Sequence, residues 1–209
     1  MYAKKASGKK ITAVLLAVLL LIGGTIGGTL AWLSATSETV TNTFTVGNIT
    51  IELKEHKLES GVLTTEEVTE NNTYKIVPGG TQPKDPFVRV KSGSEKCYVY
   101  VLVTNNLVIG TDTVAECDVY ANWEKIGTKD NSILYRSKAI VDASTSDQLV
   151  QVFSKVTYDG TKITEDNINS LKDKTIVISA YAHQSDNTTQ AAADQAALTY
   201  FSCTAISNP

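Results

Sequence analysis

The chain has 209 residues, 42% of them hydrophobic, with 19 lysines and arginines against 22 aspartates and glutamates and a formal net charge of −3. Four of the lysines lie in the first ten residues, so beyond residue 31 there remain 19 − 4 = 15 basic and all 22 acidic residues, a balance of −7. That balance excludes the positive footprint of a nucleic-acid binder, and the 209 − 31 = 178 residues concerned suit one domain with a core of its own.

In chain order, Lys4, Lys5, Lys9 and Lys10 precede the apolar run ITAVLLAVLLLI, which is followed by a break containing Gly23, Gly24, Gly27 and Gly28. Basic, then apolar, then small is the order of a secretory signal peptide, predicted here over residues 1–31. Thr29-Leu30-Ala31 meets the small-x-small requirement of a signal peptidase, which places the cut between Ala31 and Trp32. The competing reading is a retained anchor, because residues 11–33 carry no charge and are long enough to span a bilayer, although the four glycines weaken such a helix.

Behind the cut lies WLSATSETVTNT, residues 32–43, rich in Thr and Ser and free of proline. One reading is a flexible tail. The other is a donor strand offered to another molecule, with Trp32, Leu33, Thr39, Val40 and Thr41 as its candidate residues.

From residue 44 the dominant period is two. Phe44 and Val46 share one parity and Ile49, Ile51 and Leu53 the other, so a bulge or bend is expected near Gly47-Asn48. The charged interval 52–72 reads as a solvated excursion between strands. Further strands are predicted at 74–77, 87–91, 97–109, 118–126, 133–141, 149–158 and 175–184, separated by turn formers such as Pro78-Gly79-Gly80, Ser92-Gly93-Ser94 and Asp159-Gly160. Seven or eight short strands at that spacing predict a β-sandwich. Within it CYVYVLV is apolar on both faces, Cys97, Val99, Val101 and Val103 on one and Tyr98, Tyr100 and Leu102 on the other, as suits a central strand covered on each side. Two helices are expected late in the chain. One spans 163–174 with Thr164 as its cap, and the other is an alanine-rich helix over 187–201 capped by Thr188 or Thr189.

Chemistry-bearing motifs are scarce. Cys97, Cys117 and Cys203 are odd in number and match no zinc spacing, which leaves inert buried thiols or at most one disulfide. His56, in the charged KEHKLE stretch, reads as a surface histidine and His183 as a strand histidine, and neither belongs to HExxH. The sequence contains no nucleophile elbow, Walker loop or GxGxxG, and its aspartates at 85, 112, 118, 142 and 159 form no EF-hand loop. No catalytic, cofactor-binding or metal-binding residue is therefore predicted. Asn48-Ile49-Thr50, Asn71-Asn72-Thr73 and Asn187-Thr188-Thr189 are sequons, of consequence only where the secretory route glycosylates.

The leader ending in GGTIGGTLAWLS, joined to TNTFTVGNITIELKE, resembles the N-terminal signature of the TasA and camelysin family. These are exported proteins of Gram-positive bacteria whose leaders are cut by the dedicated signal peptidase SipW. YKIVPGGTQPKDPFVRV, SEKCYVYVLV and ISAYAHQSDNTTQAAADQAA agree with it in order. The resemblance implies a jelly-roll sandwich over residues 44–209, a location at the cell surface or in the extracellular matrix, and fibre formation. Its implied partners are further copies or other matrix proteins, the signal peptidase during export, and the membrane only through the uncut leader. The expectation is thus an all-β, jelly-roll-like sandwich with one or two short helices in its C-terminal half, preceded by a signal peptide. Its expected role is that of a non-enzymatic structural protein assembling by N-terminal strand donation. The alternatives are a secreted camelysin-like metalloprotease and a membrane-tethered adhesin that keeps its leader.

Overall fold

The computed structural model describes residues 48–69 and 72–206. Phe44, Val46 and Gly47, where the change of parity was expected, lie outside the described residues, but Ile49, Ile51 and Leu53 all pack on the core as their shared parity requires.

Strands β1 (Ile51–Glu59) and β2 (Val62–Val68) form a hairpin whose turn residues, Ser60 and Gly61, both have positive φ, 51° and 82°. That geometry matches the right-handed twist of the paired strands. The interval 52–72 is therefore no solvated excursion. Its charged residues belong to paired strands, and Lys54 and Arg89 on the outer face meet Glu67 there. Residues 74–77 form no strand, although Ile76 still packs on the core. After β3 (Thr81–Pro83) and β4 (Phe87–Val90), β5 (Cys97–Asn105) stops short of 109 because the Asn105 side chain turns the chain, accepting from the Leu107 N–H and donating to the Ala115 carbonyl. The small hairpin of β6 (Val108–Ile109) and β7 (Asp112–Thr113) follows.

The expected strand 118–126 is two, β8 (Ala115–Val119) and β9 (Trp123–Lys129), separated by a turn in which the Trp123 N–H donates to the Tyr120 carbonyl. β10 (Ser132–Ser137) ends before 141, which returns only as an isolated bridge between Val141 and Cys97. The expected strand 149–158 also divides, at Val152, into β11 (Gln148–Gln151) and β12 (Phe153–Tyr158), which belong to different sheets. Of the helix expected over 163–174 only a 3-10 turn, Ile168–Leu171, is present, and Thr164 is not its cap. Asn167 precedes it and bonds back to the Thr164 N–H and the Lys162 carbonyl, so a side-chain-stabilised loop takes the place of the first helical turn. After β13 (Ile176–Gln184) comes α1 (Gln190–Phe201), capped by Thr189, whose hydroxyl accepts from the Ala192 N–H, and ended by Ser202 in the left-handed region. β14 (Thr204–Ala205) closes the described chain.

The result is an all-β sandwich. One sheet has the order β11-β4-β1-β2, the second β13-β5-β10-β9-β14, and a third, smaller one β3-β12-β8. The main core collects Val88 and Val90 of β4, Cys97, Val99 and Val101 of β5, Tyr135 of β10 and Phe153, Val156 and Tyr158 of β12. The other face of β5 is covered by α1: Tyr98, Tyr100 and Leu134 pack against Ala193, Ala197, Leu198 and Phe201. β5 is thus the central strand its two-faced apolarity predicts, and Cys97 lies fully buried in the sandwich interior.

Candidate functional site

The residues singled out as the cleavage point and donor strand, Ala31, Trp32, Leu33, Thr39, Val40 and Thr41, lie outside the described residues. The described part offers two features to which function can attach.

The first is the edge of the five-stranded sheet. β13 pairs with β5 over nine residues, from Ile176↔Asn105 to Gln184↔Cys97, and no strand among the described residues pairs with its other side. Its sequence IVISAYAHQ contains no Lys, Arg, Asp or Glu. Ile176, Ile178, Ala180 and Ala182 face the core, while Val177 is exposed and Tyr181 stacks on the exposed Tyr200 of α1 at 4.7 Å. Two other edges are guarded. β11 has four residues, flanked by the Lys91–Asp147 ion pair, and β2 presents Glu66 and Glu67. Long, flat, uncharged edges are templates for pairing with another chain, and natural sheets usually blunt them with charge or brevity.

The second feature is a polar plug between the sheets. The alternation Ile51, Leu53, Glu55 turns Glu55 inward, where it is 8% exposed and receives Lys84 Nζ at 2.5 Å. Lys84, itself 8% exposed, stands 4.9 Å above the Tyr74 ring. The Tyr74 hydroxyl donates to Glu55 Oε2 at 3.4 Å, and Asn72 Nδ2 donates to Glu55 Oε1 at 2.9 Å. Burial raises the pKa of the Tyr74 phenol, and the Glu55 carboxylate raises it further. Asn72 also completes the edge of β1 beyond its last pair with β4, Lys54↔Phe87. Its Oδ1 accepts from the Leu58 N–H and its Nδ2 donates to the His56 carbonyl, both at 2.9 Å. Asn72, Tyr74 and Lys84 line one wall of a cavity of about 500 Å³, and Leu107, Val156 and Leu171 are among the apolar residues of its lining.

On the opposite face of β1, His56 Nδ1 meets Asp85 Oδ2 at 2.6 Å, and the same carboxylate accepts from the His56 N–H at 3.1 Å. His56 is therefore a half-buried strand residue tied to a buried aspartate rather than a free surface histidine. His183 lies in β13, as its apolar flanks suggest. None of Glu55, Asn72, Tyr74, Lys84 and Asp85 stands out in the sequence as a site residue. The two-residue period of IELKEHKLE marks Glu55 as inward, but no local pattern marks the partners that meet it.

All three cysteines are free thiols. Burial pushes Cys97 up to about 11 and Cys117 up to about 12, and raises Cys203 as well. Among the described residues no group of three or more His, Cys, Asp or Glu side chains is placed to hold a metal ion, and no helix is long and apolar enough to cross a membrane. No family model, curated protein or solved structure matches the chain.

Proposed function

We propose that this chain is an exported, non-enzymatic structural protein of the TasA and camelysin type, which self-associates at the cell surface or in the extracellular matrix. The observation that supports this reading most is the uncharged nine-residue edge of β13. Its Thr- and Val-containing complement is the segment 32–43, freed when a signal peptidase cuts after Ala31. A neighbour's segment laid along β13 extends the sheet by main-chain hydrogen bonds and buries Val177. Because donor and acceptor are different surfaces, the contact is head-to-tail and propagates into a filament rather than closing into a dimer.

The test compares three proteins by electron microscopy and sedimentation: the chain from Trp32, the same chain lacking residues 32–42, and the chain from Trp32 carrying Val177→Lys and Ser179→Lys. Both lysines fall on exposed β13 positions and leave the core untouched. Filaments from the first protein only are expected. Filaments from all three alike overturn strand donation at β13, and filaments from none leave a monomeric surface protein.

A further inference from the structure

Three groups of the polar plug, Lys84, Asn72 and Glu55, meet through one carboxylate. Lys84 Nζ and Asn72 Nδ2 rest on the two oxygens of the same carboxylate, Glu55 Oε2 at 2.5 Å and Oε1 at 2.9 Å. Glu55 and Lys84 are each more than nine-tenths buried, so a charge on either is costly and a route that discharges the pair is favoured. The Asn72 carbonyl oxygen accepts the Leu58 N–H at 2.9 Å, a donor fixed in β1 and aimed at the atom on which negative charge grows when the amide carbon is attacked. The orientation of the Asn72 amide is set by its three bonds, from Leu58 and to His56 and Glu55.

We infer that Lys84 and Asn72 form an intramolecular amide cross-link, with Glu55 as the proton carrier. The Lys84 ammonium gives one proton to Glu55, and the neutral amine attacks Asn72 Cγ, making the Nζ–Cγ bond. The resulting oxyanion on Oδ1 is held by the Leu58 N–H. Glu55 passes its proton to Nδ2, the Cγ–Nδ2 bond breaks, and ammonia departs with the remaining proton as ammonium. Lysine ammonium plus carboxamide thereby become a secondary amide plus ammonium, with no oxidant or further reactant. The cavity lined by Asn72 and Lys84 lies beside the bond that breaks and gives the leaving group a way out. The new amide N–H stays within reach of Glu55, and the buried Lys–Glu ion pair is gone. The link bolts the segment after β2 to the loop between β3 and β4.

This cross-link does not depend on strand donation or export, and its test is separate. Intact-mass spectrometry of the purified, folded chain should show a molecule lighter than its sequence by one ammonia. Proteolysis should then release a branched peptide joining the Asn72 and Lys84 segments. Glu55→Gln, which keeps the side chain's size but not its base, and Asn72→Ala should each restore the full mass. A wild-type chain at its full sequence mass overturns the proposal even if both variants fail to fold. So does an ammonia loss that maps to a different asparagine, or one that persists in Glu55→Gln.

Discussion

Gly160 shows how a single residue position is fixed by what stands against it. The Pro78-Gly79-Gly80 and Asp159-Gly160 turns, each marked by its composition, meet in space: a Cβ on Gly160 would lie 2.9 Å from both the Cα and the N of Gly79. Backbone cannot swing aside as a side-chain end does, so Gly160→Ala is expected to cost about 1–3 kcal/mol, read from denaturant midpoints at unchanged slope. The thiols of buried Cys97 and half-buried Cys117 give a second expectation at this scale. Cys97 and Cys117 are held neutral by burial, with pKa values of about 11 and about 12 against 9.0 for an ordinary cysteine. Native protein near neutral pH should leave Cys97 unmodified, and half-buried Cys117 slow to react, with thiol reagents that label the unfolded chain readily. The folded state binds protons that the unfolded state has released between pH 9 and 11–12. This contribution to stability is therefore complete below pH 9 and declines as pH rises through that window, which equilibrium unfolding measured at several alkaline pH values will show.

The element whose character follows most directly from its sequence is β5. Seven apolar residues in succession need cover on both faces, and the second sheet and α1 supply it. Val101 is fully buried, so Val101→Asp places an uncompensated charge in the core at a cost of several kcal/mol, comparable to the stability of the whole domain. Loss of cooperative melting is expected, and a soluble variant with a sharp transition would remove β5 from the centre. α1 was equally visible through its alanines and Thr189, but what fastens it was not. Arg136 of β10 is 5% exposed and bonds Asp194 of α1 at 2.5 Å, and the Tyr100 hydroxyl reaches the same carboxylate at 3.0 Å. Asp194→Ala leaves these two donors short of a partner while Arg136 keeps Glu124, so a loss of about 1–3 kcal/mol is expected, with faster hydrogen exchange in α1. The charged hairpin β1–β2 was misjudged because its ion-pair partners come from β4 and from across the turn, and a strand with charges on both faces resembles a loop until those partners are known. The division at Val152 is likewise a tertiary event, since nothing local says that 148–151 joins β4 while 153–158 joins β8. The Glu55, Asn72 and Lys84 plug joins residues up to 29 apart in sequence through contacts that periodicity does not encode.

At the scale of the whole molecule the edges are unequal, and on the reading proposed above that inequality bears on when assembly has to be controlled. β2 and β11 are short or charged, whereas β13 offers nine residues with no charge to deter pairing. A chain with such an edge and a compatible strand of its own risks polymerising inside the cell that makes it. On the reading proposed above, the leader prevents this: while residues 1–31 remain attached, the segment from Trp32 is held at the membrane and cannot reach a neighbour's edge. Cleavage after Ala31 then releases donor strand and subunit together. Ala31→Phe tests this coupling, because a signal peptidase that accepts only small side chains at this position should leave the bulky variant uncut. The expected outcome is full-length chain in the membrane fraction and no filaments outside the cell, while the unaltered protein appears in the medium with Trp32 at its N-terminus by mass spectrometry. Filaments from a chain that demonstrably keeps its leader would show that cleavage does not gate assembly, and a mature N-terminus far from residue 32 would displace the donor segment itself.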